Sequence, residues 1–326
     1  MIKKYIELAR PLNLLLIAIT LLVSRYAVLY PFLVKNEMSF AQPFWAFCIL
    51  LLSICLIAAY GYYINDFQDL KTDSINKKSR VLLRHPGMHD KAKNLSFHLL
   101  TAGLFLGAIA WYISGNTILV LMHIFAAASL YFYSKNLQRT LLLGNLSIAL
   151  LCGVLPIIIL GFDGPSLIGE YFNEIDIYFI GDEEKTYNER FFQSLMRQVL
   201  YFSGFIFLLT LQREIMKDLE DHTGDLKDGY RTLAIRYGKD IAIQFFSALG
   251  ILLLLLFAVY FIVEVNVLLS ENAFVIAAIA AFIFIIVPQV QAMLIGRKGR
   301  FRSSVKMLKI NIIGAFLYWF VFAICY

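Results

Sequence analysis

The chain has 326 residues, 60% of them hydrophobic and 16% charged, with a net charge of +6. A water-soluble domain holds about 45–50% apolar and about 25% charged residues. Here the apolar surplus comes in long runs rather than an amphipathic stripe, which excludes an ordinary soluble globule and makes lipid the expected solvent.

Nine runs approach the roughly 20 apolar residues that a bilayer span requires. They are 12–34, 42–64, 95–114, 117–134, 141–161, 196–213, 241–263, 272–295 and 305–325. The lead-in Met1-Ile2-Lys3-Lys4 is similar to the start of a secretory signal, but no small-residue cleavage site ends the first run and many like it follow. The first run is therefore read as a span, and the fold class is an all-α integral membrane protein. It is expected as one domain over 1–326, a bundle of about nine transmembrane helices. Arg25 falls inside the first run and Lys309 inside the ninth. Lys309 is expected to snorkel from its helix end; Arg25 has no assigned role. Pro156 and Pro288 are expected to kink their spans. His98 and His123 are expected as satisfied bundle residues. Pro86 and Gly87 break any helix between His85 and His89, which argues against a zinc site there. The four cysteines, Cys48, Cys55, Cys152 and Cys325, show neither metal-ligand nor disulfide spacing and read as small hydrophobes in helix contacts.

Most of the 29 Lys and Arg residues lie in the N-terminal segment and in connections 65–94, 135–140, 213–240 and 296–306. Basic residues stay on the cytoplasmic side. The N-terminus and these connections are thus expected in the cytoplasm and the C-terminus outside, in a bacterial inner (cytoplasmic) membrane. This asymmetry accounts for the positive charge without a nucleic-acid partner, and no nucleic-acid motif is present. The outer-side insertion 162–195 is rich in Asp, Glu and aromatic residues. It is expected as a surface loop or small cap, with a protein partner as a secondary possibility.

The connection after the second run reads Asn65-Asp66-Phe67-Gln68-Asp69-Leu70-Lys71-Thr72-Asp73. The one after the sixth includes Lys217-Asp218-Leu219-Glu220-Asp221-His222-Thr223-Gly224-Asp225. Both contain D-x-x-D-x-x-x-D. Spacings of three and four put side chains on one helical face, where carboxylates repel. A divalent cation relieves that repulsion, and magnesium in particular is held by one or two carboxylates plus substrate phosphates. Two such faces would close on a metal-bridged diphosphate. Ionisation of an allylic diphosphate needs that electrostatic help and a water-excluding apolar pocket for the cation left behind.

These motifs resemble those of the UbiA-type intramembrane prenyltransferases. The first cluster looks like the family's N-D-x-x-D-x-x-x-D signature, and Asp221 and Asp225 look like its second. Gly229-Tyr230-Arg231-Thr232-Leu233 and Tyr237-Gly238 resemble the stretch that follows. Arg10-Pro11-Leu12-Asn13 is similar to the opening R-P-x-N, and Tyr131-Phe132-Tyr133-Ser134-Lys135 to the end of the fourth helix. The resemblance implies a lipid-accessible central cavity and Mg2+ as cofactor, with a prenyl diphosphate and a lipid-phase acceptor as ligands among membrane lipids. It implies Asn65, Asp69, Asp221 and Asp225 as metal ligands, and Asp66, Asp73 and Asp218 as further catalytic carboxylates. Lys135, Arg139 and Lys217 would meet diphosphate oxygens, and Arg10 and Asn13 the acceptor. Arg80 would contact substrate and keeps its place in a stretch, Asn76-Lys77-Lys78-Ser79-Arg80-Val81, that lacks two prolines of the family pattern. The run 213–225 looks most like members that prenylate a glycerol-phosphate lipid. Prenylation of an aromatic acceptor in quinone biosynthesis is the alternative. A catalytically silent assembly partner and a transporter are the others. Transporters place their sites near the midplane, whereas these clusters fall at span ends.

Overall fold

The computed structural model describes residues 2–35, 38–76, 81–175 and 182–326, and every regular element among them is helical. Among the described residues nine helices are long and apolar enough to cross a bilayer: Pro11–Lys35, Phe44–Gln68, Pro86–Ser114, Ile118–Lys135, Leu143–Asp163, Gln193–Lys227, Lys239–Val265, Glu271–Arg297 and Phe301–Cys325. They are called the first to ninth spans. The second packs on the third, the fifth on the sixth, and the eighth on the ninth, while the sixth also touches the seventh and ninth. The sixth is thus the central strut, with Phe202, Phe205 and Leu209 buried in the main core.

The spans outrun their apolar cores, and this positions the site. The 35 residues of Gln193–Lys227 make a rod of about 52 Å, against a hydrocarbon thickness of about 30 Å. Its last turns therefore leave the apolar layer still helical. The expected end at 213 marks where hydrophobicity stops; the helix continues to Lys227. The 162–195 insertion is likewise entered by helix from both sides, as Leu143–Ile175 and Asp182–Lys227, while 176–181 lie outside the described residues.

A short helix, Ile2–Leu8, precedes the first span. Arg10 separates the two with φ 52°, the sole non-glycine residue among those described with positive φ. Proline suits the first helical position because its missing N–H would be unpaired there anyway, so Pro11 opens the span immediately after the break. The left-handed backbone costs about 1–3 kcal/mol, and the site gains a guanidinium turned back toward the second span.

The end of the bundle away from the aspartates is fixed by a buried ion pair. Arg25 and Asp163 are 1% and 0% exposed. The guanidinium meets the carboxylate through Nε at 3.1 Å and Nη2 at 3.2 Å, and also donates to the Gln42 carbonyl. Phe40 and Phe47 flank it, with ring centroids 4.2 and 4.8 Å from its central carbon. Arg25 sits in a π-helical segment, Ser24–Leu29. Such segments insert one extra residue in a turn. Two expectations change here. His98 is exposed on the third span rather than packed inside. Lys309 lines an internal cavity rather than snorkelling outward.

Removing one partner of a buried pair leaves an uncompensated charge, at a cost of about 3–5 kcal/mol, whereas an apolar pair of similar volume is often neutral. Asp163→Ala is therefore expected to lower the thermal unfolding temperature in detergent, and the double substitution R25M/D163L to recover most of it. An unshifted unfolding temperature in D163A would show that water reaches the pair.

Candidate functional site

The two aspartate clusters come together, on different scaffolds. Asp218, Asp221 and Asp225 lie on the unbroken sixth helix. The first cluster is not one continuous face. Helix Phe44–Gln68 ends with Asp69 at its cap (φ −88°, ψ 3°), and the chain restarts as Leu70–Asn76. The break redirects Asp73 toward the sixth helix. Asn76 staples the two segments, its amide donating to the Asp221 carbonyl at 2.7 Å and accepting from the Gly224 N–H at 2.9 Å. A Cβ at position 224 would lie 2.4 Å from that amide nitrogen, so the close approach requires glycine.

Between the clusters is a polar space of about 60 Å³, lined by Asp69, Asp73, Asp218, Asp221 and Asp225, room for a few waters or small ions. Neutral amides and a phenol hold two of these carboxylates, Asp69 and Asp218. Gln138 donates to Asp69 at 2.6 Å, and Asn65 donates to Asp69 and to Gln138. Tyr230 donates to Asp69 at 3.2 Å. Burial, and then the charge of Asp69, push the Tyr230 phenol upward, so it stays a donor. Asn145 donates to Asp218 at 2.8 Å.

Asp66 lines neither this space nor the larger cavity. It is 4% exposed and paired with Arg10. Burial works against the Arg10 charge, but Asp66 outweighs it and holds the guanidinium above its ordinary pKa. Arg10 also lies 5.0 Å from the Tyr62 ring.

A second cavity of about 460 Å³ adjoins the first, and Arg10, Asn65, Tyr133, Lys217 and Asp221 line both. Asn13, Arg213, Glu214 and Lys309 line only the larger one. An apolar cavity of about 220 Å³ lies beside it, among the first, second, fourth and fifth spans, and Ile17, Tyr62, Leu130, Ile148, Cys152 and Leu155 line both. Carboxylates, cations and apolar volume thus follow one another down the bundle.

Lys135 and Arg139 are exposed and line none of these spaces; they rest near the rings of Tyr131 and Tyr230. Arg80 lies outside the described residues. Gln138, Asn145 and Lys309 lie outside the motifs, and Asn76, Tyr133 and Arg213 fall within them without an assigned role; all six line the polar spaces. Asn145 carried a usable signal, a lone amide opening an apolar run.

No three Asp, Glu, His or Cys side chains among the described residues converge closely enough to cage a metal by themselves. Magnesium does not require that, since it usually keeps waters and takes one or two carboxylates plus substrate phosphates. Hard carboxylate oxygens on both walls of a small polar space fit that chemistry, with Asn65 and Lys217 at its edge.

The family model of the UbiA prenyltransferase family matches residues 28–313. The digeranylgeranylglyceryl phosphate synthase of Sulfurisphaera tokodaii is 28% identical over 237 residues, 73% of this chain and 70% of that one. Among solved structures, one concerning digeranylgeranylglyceryl phosphate synthase superposes with TM-score 0.64 at 24% identity, covering 99% of this chain and 98% of that one. A UbiA homologue from Archaeoglobus fulgidus, bound to DMAPP and Mg2+, superposes with TM-score 0.58 at 16% identity, covering 97% and 98%. At these identities the superpositions speak to the fold.

Groups that orient a metal's ligands typically contribute 10–100-fold to metal affinity. With Asp69 taken as a magnesium ligand, as its motif implies, Gln138→Leu is expected to raise the magnesium concentration for half-maximal activity roughly tenfold, with thermal stability little changed. A magnesium titration that superimposes on the wild type would show that Asp69 is held without Gln138.

Proposed function

The chain belongs to the UbiA prenyltransferase family, and we propose that it transfers a prenyl group, with magnesium, from a prenyl diphosphate to the hydroxyl of a glycerol-phosphate lipid. The observation that carries this reading is the pair of aspartate clusters facing each other across one small polar space, directly above a cavity that turns apolar. Asn65, Asp69, Asp221 and Asp225 are the proposed metal ligands, with Asp73 and Asp218 acting directly or through water. Lys217, which lines both polar spaces, meets the diphosphate. Asp66 acts through Arg10, fixing the guanidinium at the boundary between the two spaces.

Bound magnesium would supply Lewis acidity toward the leaving diphosphate. The allylic C–O bond breaks with its electron pair on the diphosphate. The acceptor hydroxyl oxygen forms the new ether bond, and its proton passes to the departing diphosphate. The chain's own part is to hold both substrates in line and keep water from the allylic carbon. The apolar cavity beside Leu130 takes the prenyl tail. The glycerol-phosphate acceptor is supported by the name of the Sulfurisphaera relative and by the run 213–225.

The bilayer is taken as the cytoplasmic membrane, with the clusters facing the cytoplasm. The Lys and Arg residues, gathered in the connections at the cluster end, support this orientation.

Asp69→Ala and Asp221→Ala are each expected to abolish magnesium-dependent diphosphate release while the protein still inserts and folds. The check is to offer purified protein several prenyl diphosphates and acceptors and identify products by mass; full activity in both variants would sink the mechanism. For the orientation, Ser74→Cys is expected to react with a membrane-impermeant thiol reagent from the cytoplasmic face alone. Labelling from the opposite face would reverse it.

A further inference from the structure

Lys309 is a lysine within the ninth span, half-buried, and it lines the 460 Å³ cavity. An ionisable residue inside a membrane is costly and marks function by default. The charged groups acting on it are Arg213, Lys217, Glu214 and Arg10. Three of those four are cations, so Lys309 adds positive charge where it already accumulates.

The charges in this wall do not balance. Glu214 is shared by two cations, with Arg213 Nη1 at 2.7 Å and Lys217 Nζ at 2.6 Å. Arg10 is committed to Asp66, and Glu220 faces Arg302 at 3.8 Å. Asp221 lines the same cavity, so Arg213, Lys217 and Lys309 face Glu214 and Asp221 with an excess of about one positive charge. Moreover, the Arg213 Nε is buried without a hydrogen-bond partner. A buried, unsatisfied donor costs about 1–3 kcal/mol.

Within this wall Lys217 meets the diphosphate, but Arg213 and Lys309 are not a second hold on it. Arg213 precedes Asp221 by two helical turns, about 12 Å along the sixth helix. That separation calls for a second anion deeper in the cavity. A phosphate monoester, with about −1.5 to −2 charge near neutral pH, is attracted by that excess, and arginine's planar fork suits phosphate oxygens. Apolar residues, Leu16, Ile17, Leu155 and Ile312, continue the wall and suit a lipid tail.

We infer that Lys309 and Arg213 form the subsite that binds the phosphate of the acceptor lipid, and so select a phosphorylated acceptor over a neutral one. This rests on the prenyl transfer proposed above. The subsite positions the acceptor, with Lys217 between the two anions.

The test compares wild type, Lys309→Gln and Lys309→Arg on two acceptors, a glycerol phosphate carrying one isoprenyl ether and the same ether without phosphate. Losing a charge-assisted hydrogen bond is expected to raise the KM for the phosphorylated acceptor about 10- to 100-fold in K309Q. The KM for prenyl diphosphate should stay near the wild-type value, and K309R should recover most of the loss. Inorganic phosphate is added as a competitor, and weak inhibition is expected because the site is built for a lipid headgroup. Inhibition as strong as that by the lipid would assign the site to the free anion and overturn the inference. So would a wild type that uses both acceptors equally well, a result that needs no variant to fold. Equal KM values for wild type and K309Q on the phosphorylated acceptor would overturn this inference alone. A wild type that prenylates neither acceptor would overturn the functional reading and this inference together.

Discussion

The structure is organised around the mutual repulsion of carboxylates gathered where the bundle passes from apolar to polar surroundings. Like charges on neighbouring turns destabilise a helix, and the lower dielectric of a protein interior strengthens the effect. The partners chosen to hold them are informative. Asn65, Gln138, Asn145 and Tyr230 fix Asp69 and Asp218 in place, yet none of these partners carries positive charge. These neutral donors orient the two carboxylates. A substrate that arrives with a cation relieves the repulsion as it binds. Asp66 is the contrast, since its charge is met by Arg10.

The two ends of the bundle handle charge in opposite ways. At the far end, Arg25 and Asp163 neutralise each other, walled by Phe40 and Phe47. That end can remain closed and dry. At the aspartate end, tight or strained features crowd one level. These are the left-handed backbone of Arg10, the break at Asp69 and the contact of Gly224 with Asn76. Strained conformations persist where surrounding structure over-determines them, and here the Asn76 staple and the Arg10–Asp66 pair supply that constraint.

Hydropathy made the cores of all nine spans legible, because hydrocarbon demands long apolar runs. It could not mark the helix ends, since the sixth helix carries polar residues onward to Lys227 and hydropathy reports the solvent rather than the backbone. The aspartate clusters were legible because carboxylate spacing is a pattern along one segment. Gln138 was not, since its partners Asn65 and Asp69 lie about seventy positions away and a neutral amide has no spacing signature. Arg25 shows the same limit more sharply, with its carboxylate 138 positions distant. Lys309 has two physically sound outcomes, outward snorkelling and inward projection, and the rotation of the ninth span against the sixth decides between them.

Leu130 and Tyr62 line both the polar-headed cavity and the apolar one beside it. Leu130 is itself braced, because a Cβ on Gly61 would come within 2.9 Å of its side chain. A wall common to two compartments cannot shift for one occupant without being felt by the other. On the proposed reading the donor tail and the acceptor share this partition, and any difference that one makes to the other's affinity must be returned by the same factor. Order of addition then becomes a matter of rates, while the interaction free energy between the two ligands belongs to the wall itself.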